Sequence, residues 1–192
     1  MSDLRTKRTR ANIKSAFMAL RAKKPLEKIT VKELAELAEI NKATFYLHYR
    51  DIYDLADQIE NEVLAESLGS LDWNDPVLDD PATFVRHLIA AGEMHRETLD
   101  TVFSFGREAV LPDKLEEGFK SRYYRENPHM ADNLYVDILL SFTIQGAYRS
   151  YVKHESHGAV EVLSVVTDIA HNLKKFYQSC PSAAIGQEKT KK

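Results

Sequence analysis

Thr30-Val31-Lys32-Glu33-Leu34-Ala35-Glu36-Leu37-Ala38-Glu39-Ile40-Asn41-Lys42-Ala43-Thr44-Phe45-Tyr46-Leu47-His48-Tyr49 is the stretch that decides the fold. Thr30 followed three residues later by Glu33 spells a capping box, in which the threonine oxygen takes an orphan N–H and the glutamate reaches back. Leu34, Leu37 and Ala38 give the helix that follows a buried face. Glu39-Ile40-Asn41 then interrupts the pattern, and Asn41 is a strong N-cap for a second run. That run, Lys42 to Tyr49, is about two turns long. Phe45 and Tyr49 lie four apart and face inward, which leaves Lys42, Thr44, Tyr46 and His48 outward. A generic helical hairpin is the plain alternative. Two helices this short bury too little surface to stand as one, so they must be set on a third.

Upstream, Ile13, Ala16, Phe17 and Leu20 recur at helical spacing between Thr9 and Lys24, and Pro25 stops the run. Downstream, Asp51 opens a helix striped by Ile52, Leu55, Ala56, Ile59 and Val63. Short helix, three-residue turn, short reader helix, braced by a further helix, is the helix-turn-helix plan. In that plan the second helix projects its N-terminal side chains into the major groove. Lys, Thr, Tyr and His suit the task, because they donate to phosphates and base edges, and Ala43 or the Thr44 methyl can touch a thymine methyl.

The segment from about Thr9 to Ile59 resembles the TetR family of transcriptional regulators. The resemblance is carried by the leading helix, by Thr30-Val31-Lys32-Glu33-Leu34-Ala35 and by Asn41-Lys42-Ala43-Thr44-Phe45-Tyr46-Leu47-His48-Tyr49. Within that family, Phe45-Tyr46-Leu47-His48-Tyr49-Arg50-Asp51-Ile52-Tyr53 is similar to the branch related to the dihydroxyacetone kinase regulators. The resemblance implies an all-α homodimer with an N-terminal DNA reader and a C-terminal ligand-binding and dimerisation domain. Carried over, Lys32 is a base or phosphate contact from the bracing helix, and Lys42, Ala43 and Thr44 read bases. Tyr46 and His48 hold phosphates. With Asn41, Tyr49 and Arg50, these make up the expected DNA-contacting set. Two positions depart from the family pattern. Glu39 stands where Gly is common in the turn, and Ile52 stands where a phosphate-binding Lys is common. Arg50 or the amides opening the next helix would have to replace that lysine.

Charge agrees with this division. Residues 1–50 hold 12 Lys and Arg against 5 Asp and Glu, while 14 against 24 fall in residues 51–192. A basic segment on an acidic body points to a polyanion partner. Arg5, Lys7, Arg8 and Arg10 precede the expected first helix as a basic arm. They follow a phosphate backbone or enter a minor groove, or else they only solvate the terminus. The expected layout is a DNA-binding domain over 1–50, an effector-binding and dimerisation domain over 51–180, and a disordered tail over 181–192.

Among the 192 residues are 7 Gly, 6 Pro and a single Cys, with 44% apolar and 29% charged residues and a mean hydropathy of −0.38. Little turn punctuation favours long helices. One cysteine excludes an intramolecular disulfide framework and a cysteine zinc knuckle. No apolar run is long enough for a membrane span, and no secretory signal follows the basic start, so a cytoplasmic protein is expected. After a loop over 69–81, helices are expected over 81–96, 98–106, 112–125, 131–154 and 159–178, the last two being the candidate dimer seam.

The second part carries no motif that names a ligand. Phe84, His87, Phe103, Tyr123, Tyr124, Phe142, Gln145 and Tyr148 are the candidate lining of a small-molecule effector pocket, and an equally good reading makes the aromatics plain core. The histidines show no metal-ligand spacing, no catalytic constellation is visible, and neither a cofactor nor an enzymatic activity is expected. The expected function is a sequence-specific, ligand-responsive repressor that binds a palindromic operator as a homodimer. The alternative is a co-regulator that offers the same helical surface to a protein and binds no DNA of its own.

Overall fold

The computed structural model describes residues 2–69, 71 and 80–178, and among these it is all-α with no strand. Helices run over α1 Ser2–Arg21, α2 Val31–Leu37, α3 Lys42–Tyr46, α4 Ile52–Gly69, α5 Pro81–Met94, α6 Arg96–Val102, α7 Leu111–Glu126, α8 Leu134–His154 and α9 Ala159–Gln178. No helix of the described residues is long and apolar enough to cross a membrane. The expected tail at 181–192, Cys180 and most of the expected loop, 72–79, lie outside the described residues.

Local chemistry sets most helix ends. Asp80 accepts from the Thr83 amide at 3.2 Å with Pro81 in the first turn, as that dipeptide predicts. Asn133 caps α8 by accepting from the amides of Tyr135 (3.1 Å) and Val136 (3.2 Å), so the helix opens three residues later than its apolar pattern. Phe105 (φ 51°) and Gly106 (φ 88°) turn left-handed, and α6 stops at Val102 rather than near 106. Gly158 (φ 109°) separates α8 from α9 in a backbone conformation that suits glycine.

One expectation needs correction. The basic arm does not precede the first helix, because Arg5, Lys7, Arg8 and Arg10 are themselves residues of α1. No Gly or Pro falls between Ser2 and Arg21, and Arg, Lys and Leu are good helix formers. The Thr9 hydroxyl also donates to the Arg5 carbonyl one turn back, at 3.0 Å.

By its contacts the chain divides into two compact units. One holds Met1–Ala65 with Arg96–Leu111, the other Glu66–His95 with Pro112–Lys192. In the first, Ile13, Phe17 and Leu20 of α1 are buried with Leu34 and Ala35 of α2, Phe45 of α3, and Leu55 and Ile59 of α4. Arg21 is fully buried there too, donating to the carbonyls of Lys24 (3.1 Å), Val102 (3.1 Å) and Ser104 (2.7 Å). Burial, and next the nearby charge of Arg107, lower its pKa. In the second unit α5, α8 and α9 pack on one another, and Phe84, Phe119, Leu140, Ile144 and Val166 are buried.

Candidate nucleic-acid interface

The candidate interface is built by two caps and a turn. Thr30 Oγ1 accepts from the Glu33 amide at 3.2 Å, which is half of the expected capping box. The Glu33 carboxylate is turned instead to Lys24 Nζ, at 2.6 and 2.5 Å, and so ties the end of α1 to α2. After Leu37 the Ile40 amide donates to the Ala35 carbonyl (2.9 Å) and the Glu39 amide to the Glu36 carbonyl (3.3 Å). Those two bonds are a Schellman motif, whose geometry requires a left-handed residue at position 39. Glu39 supplies it with φ 55°, where an L side chain is strained. The chain then re-enters a helix at once, with Asn41 Oδ1 accepting from both the Thr44 amide (2.7 Å) and the Thr44 hydroxyl (2.9 Å).

The helix begun by that cap is shorter than its pattern. Regular α geometry ends at Tyr46, and the next turn tightens, with His48 and Tyr49 both donating to the Phe45 carbonyl at 2.9 and 3.0 Å. Phe45 is completely buried and Tyr49 is 5% exposed. Tyr49 therefore lies on the inward face, largely covered by the protein itself. Lys42, Ala43 and Tyr46 are exposed, Thr44 and His48 are half-buried, and the Thr44 hydroxyl is spent on the cap. Asn41 too gives its side-chain oxygen to the cap. Lys32 is exposed on α2 beside Glu36, 3.9 Å away.

At the start of α4, Ile52 is buried, and its apolar side chain offers nothing to an anion. The Asp51 carboxylate accepts from the Asp54 amide at 2.8 Å, so part of the helix opening is already occupied by a protein carboxylate. Arg50 points its exposed side chain outward, loosely paired with Asp54 at 3.5 Å, while its amide donates to Asp54 Oδ2 at 2.9 Å. That amide bond, and next one from Gln58, hold the Asp54 carboxyl below the usual carboxylate range. Arg10 is 5.8 Å from the centre of the Tyr49 ring and donates to Gln58 Oε1 at 3.1 Å. Its guanidinium is held above its ordinary pKa, first by a hydrogen bond to Tyr49.

Three exposed residues depart from the sequence expectation, and one of them, Leu37, expected on the buried face of α2, is 51% exposed. Leu47 is 81% exposed just past α3, and Tyr53 is exposed on α4. A 3.6-residue wheel places Leu47 ambiguously, and the tightening after Tyr46 is what turns it out.

The expected pocket residues scatter. Phe103 is buried in the first unit and the others lie in the second. Phe84, Tyr123 and Tyr124 join a ring ladder through Phe119, with centroid spacings of 4.8, 6.1 and 5.6 Å. Phe119 was not anticipated, and it makes that ladder a packed cluster. His87 and Phe142 are exposed and Tyr148 is half-buried. Gln145 borders an open charged hollow of about 570 Å³ with Asp113, Glu116, Glu117, Lys120 and Ser121. Among the described residues no group of three or more His, Cys, Asp or Glu could hold a metal ion.

Over 59 residues the chain is 32% identical to an uncharacterized HTH-type transcriptional regulator, YxbF, of Bacillus subtilis (strain 168). The match covers 31% of this chain and 15% of that protein, so the chain spans only a small part of its relative's length. No protein-family profile and no solved structure matches the chain.

Proposed function

We propose that the chain is a sequence-specific DNA-binding transcriptional regulator of the TetR type, working in the cytoplasm as a ligand-responsive repressor. The observation that carries the reading is the α2–α3 pair. It is a capped, tightly turned helix-turn-helix whose inward face (Phe45, Tyr49) is buried and whose outward face presents Lys42, Ala43, Tyr46 and half-buried His48. The likeness to a helix-turn-helix regulator supports it. Arg5, Lys7 and Arg8 on the first turns of α1, with Lys32 and Arg50, supply further positive charge for phosphates.

A reader whose regular helix is only 5 residues long touches few bases, so two copies on a palindromic operator, with half-sites about 34–36 Å apart, would give useful specificity. Exposed Leu134, Ile138 and Phe142 on α8, and Val165 and Ile169 on α9, favour those helices as the homodimer seam. An effector held by the second unit shifts operator affinity only by its differential affinity for the two states of the dimer.

Enrichment from a random duplex pool, followed by titration at several salt concentrations, tests the reading. A preferred sequence should emerge, and Lys42→Ala and Tyr46→Ala should each weaken its binding. Failure to enrich any sequence removes it. Exposed Leu47 and Tyr46, with an apolar Ile52, favour a second reading in which this surface binds a protein. In that case the same two variants leave any DNA affinity unchanged and lose a co-purifying protein.

A further inference from the structure

We infer that Arg10 is a positioning residue that fixes the end of the reader helix through Tyr49 and Gln58, and is not a phosphate contact of a basic arm. This deepens the DNA-reading proposal and rests on it. The cations of α1 differ in their surroundings. Arg10 and Lys14, one turn apart, are directed at Gln58 (3.1 Å) and Glu62 (3.2 Å), which are one turn apart on α4. Arg10 also has the Tyr49 ring beside its guanidinium at 5.8 Å, and that ring packs on Phe45 with centroids 5.6 Å apart.

The contacts continue past the helix. Gln58 Nε2 donates to Asp54 Oδ1 at 3.3 Å, and the other oxygen of Asp54 accepts the Arg50 amide at 2.9 Å. Tyr49 and Arg50, the two residues that leave the reader, are therefore gripped from both sides. Arg10 holds the ring of one, and Asp54, braced by the same Gln58, holds the backbone of the other. A reader whose regular helix ends at Tyr46 has little rigidity of its own at that end. A planar guanidinium can stack on an aromatic ring and donate sideways at once, which an ammonium does poorly.

The test compares the full-length wild type with Arg10→Gln and Arg10→Lys. Binding is measured on a duplex enriched by the wild type and on mixed-sequence duplex DNA, across a salt series. Both variants should bind the enriched duplex about tenfold more weakly, the worth of one misplaced base contact. The log–log salt slope should be unchanged, and affinity for mixed-sequence DNA should be preserved. Amide exchange at Tyr49 and Arg50 should quicken about tenfold as the clamp opens. A phosphate contact would instead lower the slope by about 0.9 in Arg10→Gln and be rescued by Arg10→Lys. That pattern, or unchanged exchange at the two amides, overturns the clamp. If the wild type enriches no duplex, the regulator reading fails, and the exchange rates decide the clamp by themselves.

Discussion

Glu39 holds a backbone conformation that costs an L residue about 1–2 kcal/mol, because the turn needs a left-handed residue and the chain provides a glutamate. Glu39→Gly removes that strain but adds about 0.5–1 kcal/mol of unfolded-chain entropy. The net expectation is a gain of up to about 1 kcal/mol, read as a rise in thermal midpoint of about 2–4 °C. An unchanged or lower midpoint would mean that the glutamate makes up its strain elsewhere. Asn41→Ala should act in the opposite direction, costing about 1 kcal/mol in urea unfolding, since it strips the cap from a five-residue helix. At this scale the sequence was highly legible. A glutamate at a glycine position, an asparagine before a periodic run and the pairing of Phe45 with Tyr49 all carried their meaning in residue type and spacing. What was hidden was Thr44, whose hydroxyl is claimed by Asn41, and Leu47, which is turned out by one tightened turn that no periodicity foretells.

Whole helices reveal where type and spacing stop being enough. The start of α1 lies earlier than expected because four cations in the first ten residues read as a DNA-contacting arm ahead of the helix, although nothing in them breaks a helix. Ion pairs between distant segments are invisible in the sequence, since partners such as Arg107, in the connection before α7, and Glu60 of α4 lie 47 positions apart. That pair is bidentate, at 2.6 and 2.8 Å, and only 1% of the Glu60 side chain is exposed. Arg107→Met removes the bidentate partner of a buried carboxylate and should cost about 3–5 kcal/mol in urea unfolding. Adding Glu60→Gln should restore much of the loss, and a double variant no better than the single would refute the pairing as its cause. Between α7 and α8, Lys120 bonds Asp137 (2.8 Å), Glu116 (2.9 Å) and the Ser141 hydroxyl (2.7 Å), and Tyr124 donates to Asp137 at 2.9 Å. Lys120, followed by Tyr124, lowers the Asp137 pKa against the opposing effect of burial. A depressed folded-state pKa contributes stability that is present above the ordinary carboxylate value, about 3.9, and is lost as the pH falls through the lower folded value. For Lys120 burial pulls the pKa down, but its bonds to Asp137 and Glu116 outweigh it and the net shift is upward. Its contribution is complete below about 10.4 and is lost as the pH rises through the folded value. Urea midpoints should therefore fall at both ends of the pH range, and Asp137→Asn should flatten the acid limb and part of the alkaline one. An acid limb as steep as the wild type's would place the titrating group elsewhere.

Across the whole molecule, the charge step at Arg50 and the contact boundary near Ala65 mark different things. The first records which surface is basic, which residue counts can find. The second records which side chains are buried together, and it gathers Arg96–Leu111 into the unit that holds α2 and α3. No composition change signals that return, and no sequence pattern announces a fully buried Arg21 bonded to carbonyls more than 80 positions away. The apolar face of α8 shows a similar limit. Leu134, Ile138 and Phe142 recur every fourth residue, and they are 72, 58 and 59% exposed. Val136, Leu140 and Ile144, each two residues further on, take the buried side. A helix with apolar residues on both faces needs a cover on each. Burying a large aliphatic or aromatic side chain contributes about 1.5–3 kcal/mol, so three such residues from each of two copies, with Val165 and Ile169 of α9, are ample to hold a dimer against its association cost. Ile138→Glu combined with Phe142→Glu places charge in the proposed seam while leaving the buried face intact. Sedimentation should then report a monomer with unchanged helical circular dichroism, and affinity for the enriched duplex should drop toward that for mixed-sequence DNA. A dimer that survives both charges would move the seam away from this face of α8, while the α2–α3 reader would still be judged by its own variants.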